Sequence, residues 1–296
     1  MKNKKLGLPY MGSKRRLSRE IVDHILTAHP NTKYVWDLFG GGGAISFEFL
    51  QRRQIERVVY NELNTGVVEL LRKIQKDGIT PEFYQWVSRD TFHAHKSDDD
   101  WFGGLCKVVW SFGNDQKSYM FGKHIEDLKR QAHECVVNGA RFELDGISFN
   151  NLQGNTINER RLRFRSILAA NKKRFDLQQL EQLQQLEQLQ QLEQMQRLDI
   201  FNQSAFDVVI DTPTDETIIY LDPPYKGTKK YQEEVCHDEL KRYIDNSPYT
   251  VYLSSYEFDL PVVHAMKHNS TLSATANNAT VEKLFCNKTV QKNTLF

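Results

Sequence analysis

The residues best suited to chemistry stand at positions 222–225, where the apolar run Ile218-Ile219-Tyr220-Leu221 ends in Asp222-Pro223-Pro224-Tyr225. The run reads as a buried strand. The prolines stop it, because they cannot donate to a ladder and they fix their own φ. The result is a stiff corner at a strand's carboxyl end, on the edge where open α/β sheets bind ligands. There the Asp222 carboxylate and the Pro223 carbonyl can each accept a hydrogen bond from an exocyclic NH2 group, and Tyr225 offers a ring for stacking. This combination suits a planar, amine-bearing nucleobase. A strand that merely ends in a proline turn is the plainer reading of an isolated Asp-Pro-Pro.

A second candidate site lies near the start of the chain. Tyr34-Val35-Trp36-Asp37-Leu38-Phe39 runs into Gly40-Gly41-Gly42-Gly43, and Ala44 to Leu50 then reads as a helix. Strand, glycine loop and helix make the first βα turn of a doubly wound fold. A tight bend needs one or two glycines, and each further one costs backbone entropy, so the loop predicts a bulky ligand against bare backbone. The spacing is not that of a dinucleotide fingerprint. Arg57 to Asn64 forms the next strand and ends at Glu62, where an acid can accept both hydroxyls of a ribose. Asn61 or Asn64 capping a helix at Val67 is the alternative, and the two roles are compatible.

Around these sites stands a chain of 296 residues, 40% hydrophobic and 26% charged, which suits a soluble protein with one buried core and a subdomain. The formal charge of +1 conceals a basic start, with Lys2, Lys4, Lys5, Lys14, Arg15, Arg16 and Arg19 preceding any acid. Polyanion binding must therefore be judged from local patches. Cys106, Cys135, Cys236 and Cys286 are widely spaced and suggest neither a zinc site nor a disulfide framework. No apolar run is long enough to span a membrane, and the basic start lacks an apolar h-region. A reduced, cytoplasmic setting is expected, with no metal.

Arg15 to His29 reads as an amphipathic helix opened by Gly12-Ser13-Lys14, a turn that can hold an anion, although an ordinary helix start followed by solvated basic residues is the plainer reading. Helical patterns continue from Thr65 through Leu70, Leu71 and Ile74, then over Phe83 to Val87, Leu105 to Trp110 and Ile125 to Val136. The loop from Trp110 to Lys123 mixes aromatics, amides and Lys117, the materials for touching bases and phosphates; core aromatics beside a surface loop look much the same. In Arg160-Arg161-Leu162-Arg163-Phe164-Arg165 the arginines alternate with apolar residues, so a strand here would present guanidinium groups along one face to phosphates. A run of arginines is usually a solvated face, but the alternation here favours nucleic-acid contact if the chain is an enzyme acting on a nucleic acid; Lys172-Lys173-Arg174 closes the segment. The Leu-Gln-Gln-Leu-Glu-Gln unit that starts at Leu177 repeats at three-residue leucine spacing and is a poor coiled coil. It reads as a duplicated, helical insert acting as a spacer, with a short solenoid-like stack as the alternative. Asp199 to Phe206, Pro248 to Tyr256 and Val281 to Asn287 read as strands, Glu239 to Ile244 as a helix, and Lys226 to Tyr231 as a basic flap.

Taken in order, Pro-Tyr-Met-Gly-Ser-Lys (9–14), Asp-Leu-Phe-Gly-Gly-Gly-Gly (37–43), Asn-Glu-Leu-Asn (61–64) and Asp-Pro-Pro-Tyr (222–225) resemble the Dam-type DNA adenine-N6 methyltransferases, phage-encoded members in particular. The resemblance implies an α/β, Rossmann-like catalytic domain from residues 1–65 and 199–296. It also implies a mainly helical target-recognition domain over 66–198, including the 177–198 insert. S-adenosyl-L-methionine is the implied cofactor and double-stranded DNA the implied partner, with a monomer or weak dimer as the acting species. Carried over by motif, Tyr10, Lys14 and Phe39 would contact the cofactor, Asp37, Gly40, Gly41, Gly42 and Gly43 would hold its amino-acid end, and Glu62 would hold its ribose. Phe206 would lie by its adenine. Asp222 would touch cofactor and target, with Pro223, Pro224 and Tyr225 completing the catalytic corner; Lys117, Arg160, Arg161, Arg163 and Arg165 are the candidate DNA contacts. The chemistry would be base flipping followed by direct in-line transfer. Three departures stand out: Ala205 where many relatives carry an acid, no Asn-Gly-Leu-x-Arg-like stretch, and the Leu/Gln insert. Methylation of cytosine N4 or of RNA, or a non-catalytic nucleic-acid-binding module, are the rival readings.

Overall fold

The computed structural model describes residues 6–150, 152–171, 180–190, 197–224, 235–269 and 279–288. Tyr225, the flap at 226–231, the basic run at 172–174 and the outer parts of the Leu/Gln repeat lie outside them. Two compact units form. One gathers Met1–Gly7, Gly12–Val68 and Met195–Phe296, and the other Leu8–Met11 and Glu69–Gln194.

The first unit is built on strands β1 (Tyr34–Asp37), β2 (Arg57–Asn61), β5 (Leu198–Phe201), β6 (Thr217–Leu221), β7 (Thr250–Ser255), β8 (Val262–Asn269) and β9 (Ala279–Cys286). They form one seven-stranded sheet in the order β5-β2-β1-β6-β7-β9-β8. The first five are mutually parallel, and β9 runs antiparallel to both β7 and β8. Every residue of β6 and β7 is buried, as expected for the near-continuous apolar strands of a sheet covered on both faces. Helices α1 (Ser18–Ala28), α2 (Ala44–Leu50) and α9 (His237–Asn246) belong to this unit, and α3 (Thr65–Asp77) leaves it. From β1 the chain moves outward one way to β2 and β5, and the other way to β6 and β7. The switch point of this Rossmann-like sheet therefore falls between β1 and β6.

Several expected boundaries shift. The first helix begins at Ser18, after a 3-10 turn over Lys14–Arg16. Phe206 is not in a strand: β5 stops at Phe201, and Ala205–Asp207 forms a 3-10 turn. Strand β8 carried no recognisable pattern.

The second unit holds α4 (Arg89–His95), α5 (Trp101–Val109), α6 (Lys123–Asn138), α7 (Ile157–Ala170), α8 (Glu181–Gln190) and the short pair β3 (Glu143–Leu144) and β4 (Ile147–Ser148). The expected helix at Phe83 to Val87 is only a 3-10 turn over Pro81–Tyr84. Residues 158–165 form part of α7 and not a strand. Thr156 caps this helix by accepting from the Glu159 amide, and Glu159 reaches back to the Asn155 amide. On a helix the arginine alternation no longer shares one face: Arg161, Phe164 and Leu168 are buried, and Arg163 and Arg165 are exposed.

The repeat also differs from a spacer. Leu180, Leu183, Leu186 and Leu189 are all buried, and so is Gln182. Three-residue steps on a helix turn the apolar stripe by about 60° each, so four leucines sweep about half the circumference. The helix is thus embedded in its unit, and the Gln182 amide bonds the buried His133 ring at 3.2 Å.

Candidate active site

Asp37 ends β1 and Asp222 follows β6 directly, so both carboxylates stand at the carboxyl edge of neighbouring strands across the switch point. The Leu38 amide donates to the Tyr220 carbonyl at 3.1 Å, which fixes the two ends together. Asp222 is followed by the buried Pro223 and half-buried Pro224, as the strand-ending corner requires. The Lys14 ammonium bonds Asp222 Oδ1 at 2.7 Å and lies 3.6 Å from Glu282 Oε1 on β9.

The glycine loop is shaped by contacts that exclude side chains. The Gly40 amide donates to the Asn61 carbonyl, and a Cβ at Gly40 would sit 2.2 Å from the Tyr60 ring. Gly43 has φ +71° and its Cβ would meet Phe47 at 2.6 Å, so the chain can enter α2 here only as glycine. Tyr60 donates its hydroxyl to the Gly41 carbonyl, and the Gly41 amide donates to Glu62 Oε2 at 2.8 Å. Glu62 Oε1 accepts from the Asn64 amide at 2.9 Å. A carboxylate offers about four lone-pair sites, so these bonds are compatible with a further donor. The helix cap at α3 is Asn64, which accepts from the Val67 amide. Asn61 instead is buried and ties the ends of β1 and β5 together through the Leu38 and Gln203 carbonyls.

Asp37 is 1% exposed. Ser46 donates to its Oδ2 at 2.7 Å, while its Oδ1 is buried with no hydrogen-bond partner. Burial pushes the Asp37 carboxyl up to about 7; the Ser46 bond opposes this, and the negative charges of Asp222 and Glu62 add to it. Phe39 and Phe206 meet edge-to-face with centroids 6.2 Å apart, and Phe206 also packs on Tyr243. The structure thus gathers Lys14, Asp37, Phe39, the glycines, Glu62, Phe206 and Asp222 on one unit. Tyr10 falls in the other.

The profile of the D12 class N6 adenine-specific DNA methyltransferases matches residues 10–256. The chain belongs to this family. It is accordingly an adenine-specific DNA methyltransferase, and the readings as a cytosine or RNA enzyme or as a non-catalytic module fall away. A search of curated proteins finds no match. Among solved structures the chain is similar to HI0767 of Haemophilus influenzae, a candidate methylase, with 11% identity over 95% of this chain and 91% of that one and a TM-score of 0.30. A likeness at that level adds nothing to the assignment.

Of the site residues, Glu282, Ser46 and Tyr60 went unmarked in the sequence. A serine inside the apolar run Ala44-Ile45-Ser46-Phe47 is a usable signal, since a fully buried hydroxyl needs a partner. Glu282 gave none, because Val281-Glu282-Lys283-Leu284 reads as ordinary strand alternation. Among the expected DNA contacts, Arg160 donates to the Val136 and Val137 carbonyls at the end of α6, and Arg161 bonds Asn158. Lys117, Arg163 and Arg165 are exposed.

Proposed function

We propose that the chain methylates adenine N6 in double-stranded DNA with S-adenosyl-L-methionine as donor, acting on a base turned out of the duplex. The observation that carries this reading is the meeting of Asp222 and the glycine loop at one switch point. The residues fit the donor. The partnerless Asp37 Oδ1 suits an ammonium group, Glu62 suits a ribose, and Phe39 with Phe206 supplies an aromatic wall. When bound, the group supplies a methyl on a positively charged sulfur, already activated for transfer.

The rest falls to the chain's own residues. Adenine N6 is a weak nucleophile because its lone pair is delocalised into the ring. Asp222 and the Pro223 carbonyl accept its two hydrogens and so favour the more tetrahedral nitrogen of the transition state. Lys14, donating to Asp222 Oδ1, fixes that carboxylate in orientation. Tyr225, outside the described residues, is assigned to stack on the extruded base, whose unstacking costs a few kcal/mol. Residues 1–65 and 199–296 act as the catalytic domain and 66–198 as the target-recognition domain, and the chain works as a monomer or weak dimer.

Incubation with labelled donor and duplex DNA should yield N6-methyladenine, and Asp222→Ala should abolish it while DNA is still bound in a mobility-shift assay. Undiminished methylation by Asp222→Ala would overturn the assignment of the corner.

A further inference from the structure

Lys14 carries one positive charge, yet two carboxylates converge on it: Asp222 Oδ1 at 2.7 Å and Glu282 Oε1 at 3.6 Å. Lys14 and Glu282 are 7% and 2% exposed, and Asp222 is 19% exposed. Placing a second buried carboxylate beside the first adds desolvation cost and mutual repulsion, so its position at Lys14 calls for a reason beyond packing. Glu282 is also remote in sequence from every motif of the site. It comes from β9, whose register sets Lys283 opposite Ser255 at the end of β7, so Glu282 stands level with that strand's carboxyl end. The half-exposed Tyr256 that follows β7 lies within electrostatic reach of Glu282, Lys14 and Asp222 together.

We infer that Glu282 is a positioning residue for methyl transfer, which holds the Lys14 ammonium between two carboxylates so that Asp222 is oriented by Lys14 without being fully neutralised by it. The inference rests on the role proposed above for Asp222 as acceptor of the target amine. An ammonium bound wholly to Asp222 would draw off the negative charge that the amine hydrogens need, and one left unanchored would release the carboxylate from its orientation. Glu282 sets the balance by sharing the positive charge. Among the described residues, the charged and titratable groups near Asp222 include Lys14 from the 3-10 turn, Asp37 from the end of β1, Tyr220 from β6, Tyr256 after β7 and, through Lys14, Glu282 from β9.

The test is steady-state methylation of duplex DNA by Glu282→Gln, which keeps size and removes charge, in the parent and in a Lys14→Met background. In the parent, kcat should fall about ten-fold with the KM values for donor and DNA changing less than about two-fold, the pattern of an interaction made in the transition state. The acid limb of the kcat profile should move to lower pH, because Lys14 then pairs with Asp222 alone. In Lys14→Met the same substitution should change kcat less than about two-fold, since a residue acting through Lys14 has nothing to act on. An unchanged kcat in the parent, or an equal loss in both backgrounds with an unmoved acid limb, would overturn the inference. Should Glu282→Gln alone not fold, the comparison of Lys14→Met with Lys14→Met/Glu282→Gln decides: equal rates support the role and a further loss overturns it. An Asp222→Ala control separates the two failures. Its retained activity would sink the catalytic reading itself, whereas its inactivity beside a normal Glu282→Gln would sink only the role of Glu282.

Discussion

Among the described residues, Asp37 stands in an environment far from that of an ordinary carboxylate. Buried beside Asp222 and Glu62 and met by one hydroxyl, its carboxyl is raised from 3.8 to about 7. A group raised on folding lends its stability fully below its unfolded value, and that stability is lost as pH climbs through the folded one. At 1.36 kcal/mol per unit, the loss between pH 4 and pH 7 is on the order of 4 kcal/mol. Asp37→Asn, which cannot ionise, should therefore gain stability relative to the parent as pH rises over that window, measured by urea unfolding at stepped pH without donor. A difference that stays flat with pH would mean that Asp37 does not titrate there. With a methyl donor present the sign reverses, because an ammonium at Oδ1 favours the ionised form, and the variant should bind donor more weakly above pH 7. At this scale the sequence was informative where residue types coincide with a strand end, as at Asp37, Glu62 and Asp222. It was silent on Glu282, whose partner lies 268 positions away at Lys14 and is brought near only by a late antiparallel strand.

The elements show why one segment was misjudged and another undervalued. Arg161, Phe164 and Leu168 are spaced three and four apart, as a buried helical stripe requires, but the local alternation of Arg163, Phe164 and Arg165 fits a strand equally well. The deciding signal was Thr156 with Glu159 three residues on, a capping pair just ahead of the run. The three-residue leucine period of α8 suggested a rod with no stable seam. A turning stripe gives no seam against a single partner but suits a helix surrounded by its own unit. A buried leucine here should behave as core: Leu186→Ala should cost about 2–5 kcal/mol, against less than about 0.5 for the exposed Gln184→Ala, both read from denaturant midpoints. Equal, small effects would return α8 to the role of spacer.

Over the whole molecule the formal charge of +1 offers DNA no general attraction, so binding must rest on where the basic side chains stand. The second unit exposes Lys117 beside the 3-10 turn at Phe112–Asn114, and Arg163 and Arg165 on α7. If these meet phosphates, each contact releases counterions and adds about one to the slope of log affinity against log salt. Arg163→Ala should then weaken duplex binding alike for all sequences and lower that slope by about one, raising the KM for DNA while leaving kcat unchanged. Arg160→Ala should act differently, because its guanidinium holds the Val136 and Val137 carbonyls at the end of α6. It should lower the unfolding midpoint and leave the salt slope of the folded protein as it was. Fluorescence anisotropy on duplexes of several sequences, titrated with salt, separates the two. A slope unchanged in Arg163→Ala and Arg165→Ala would remove α7 from the DNA-facing surface and leave the loop at Lys117 to carry the contact.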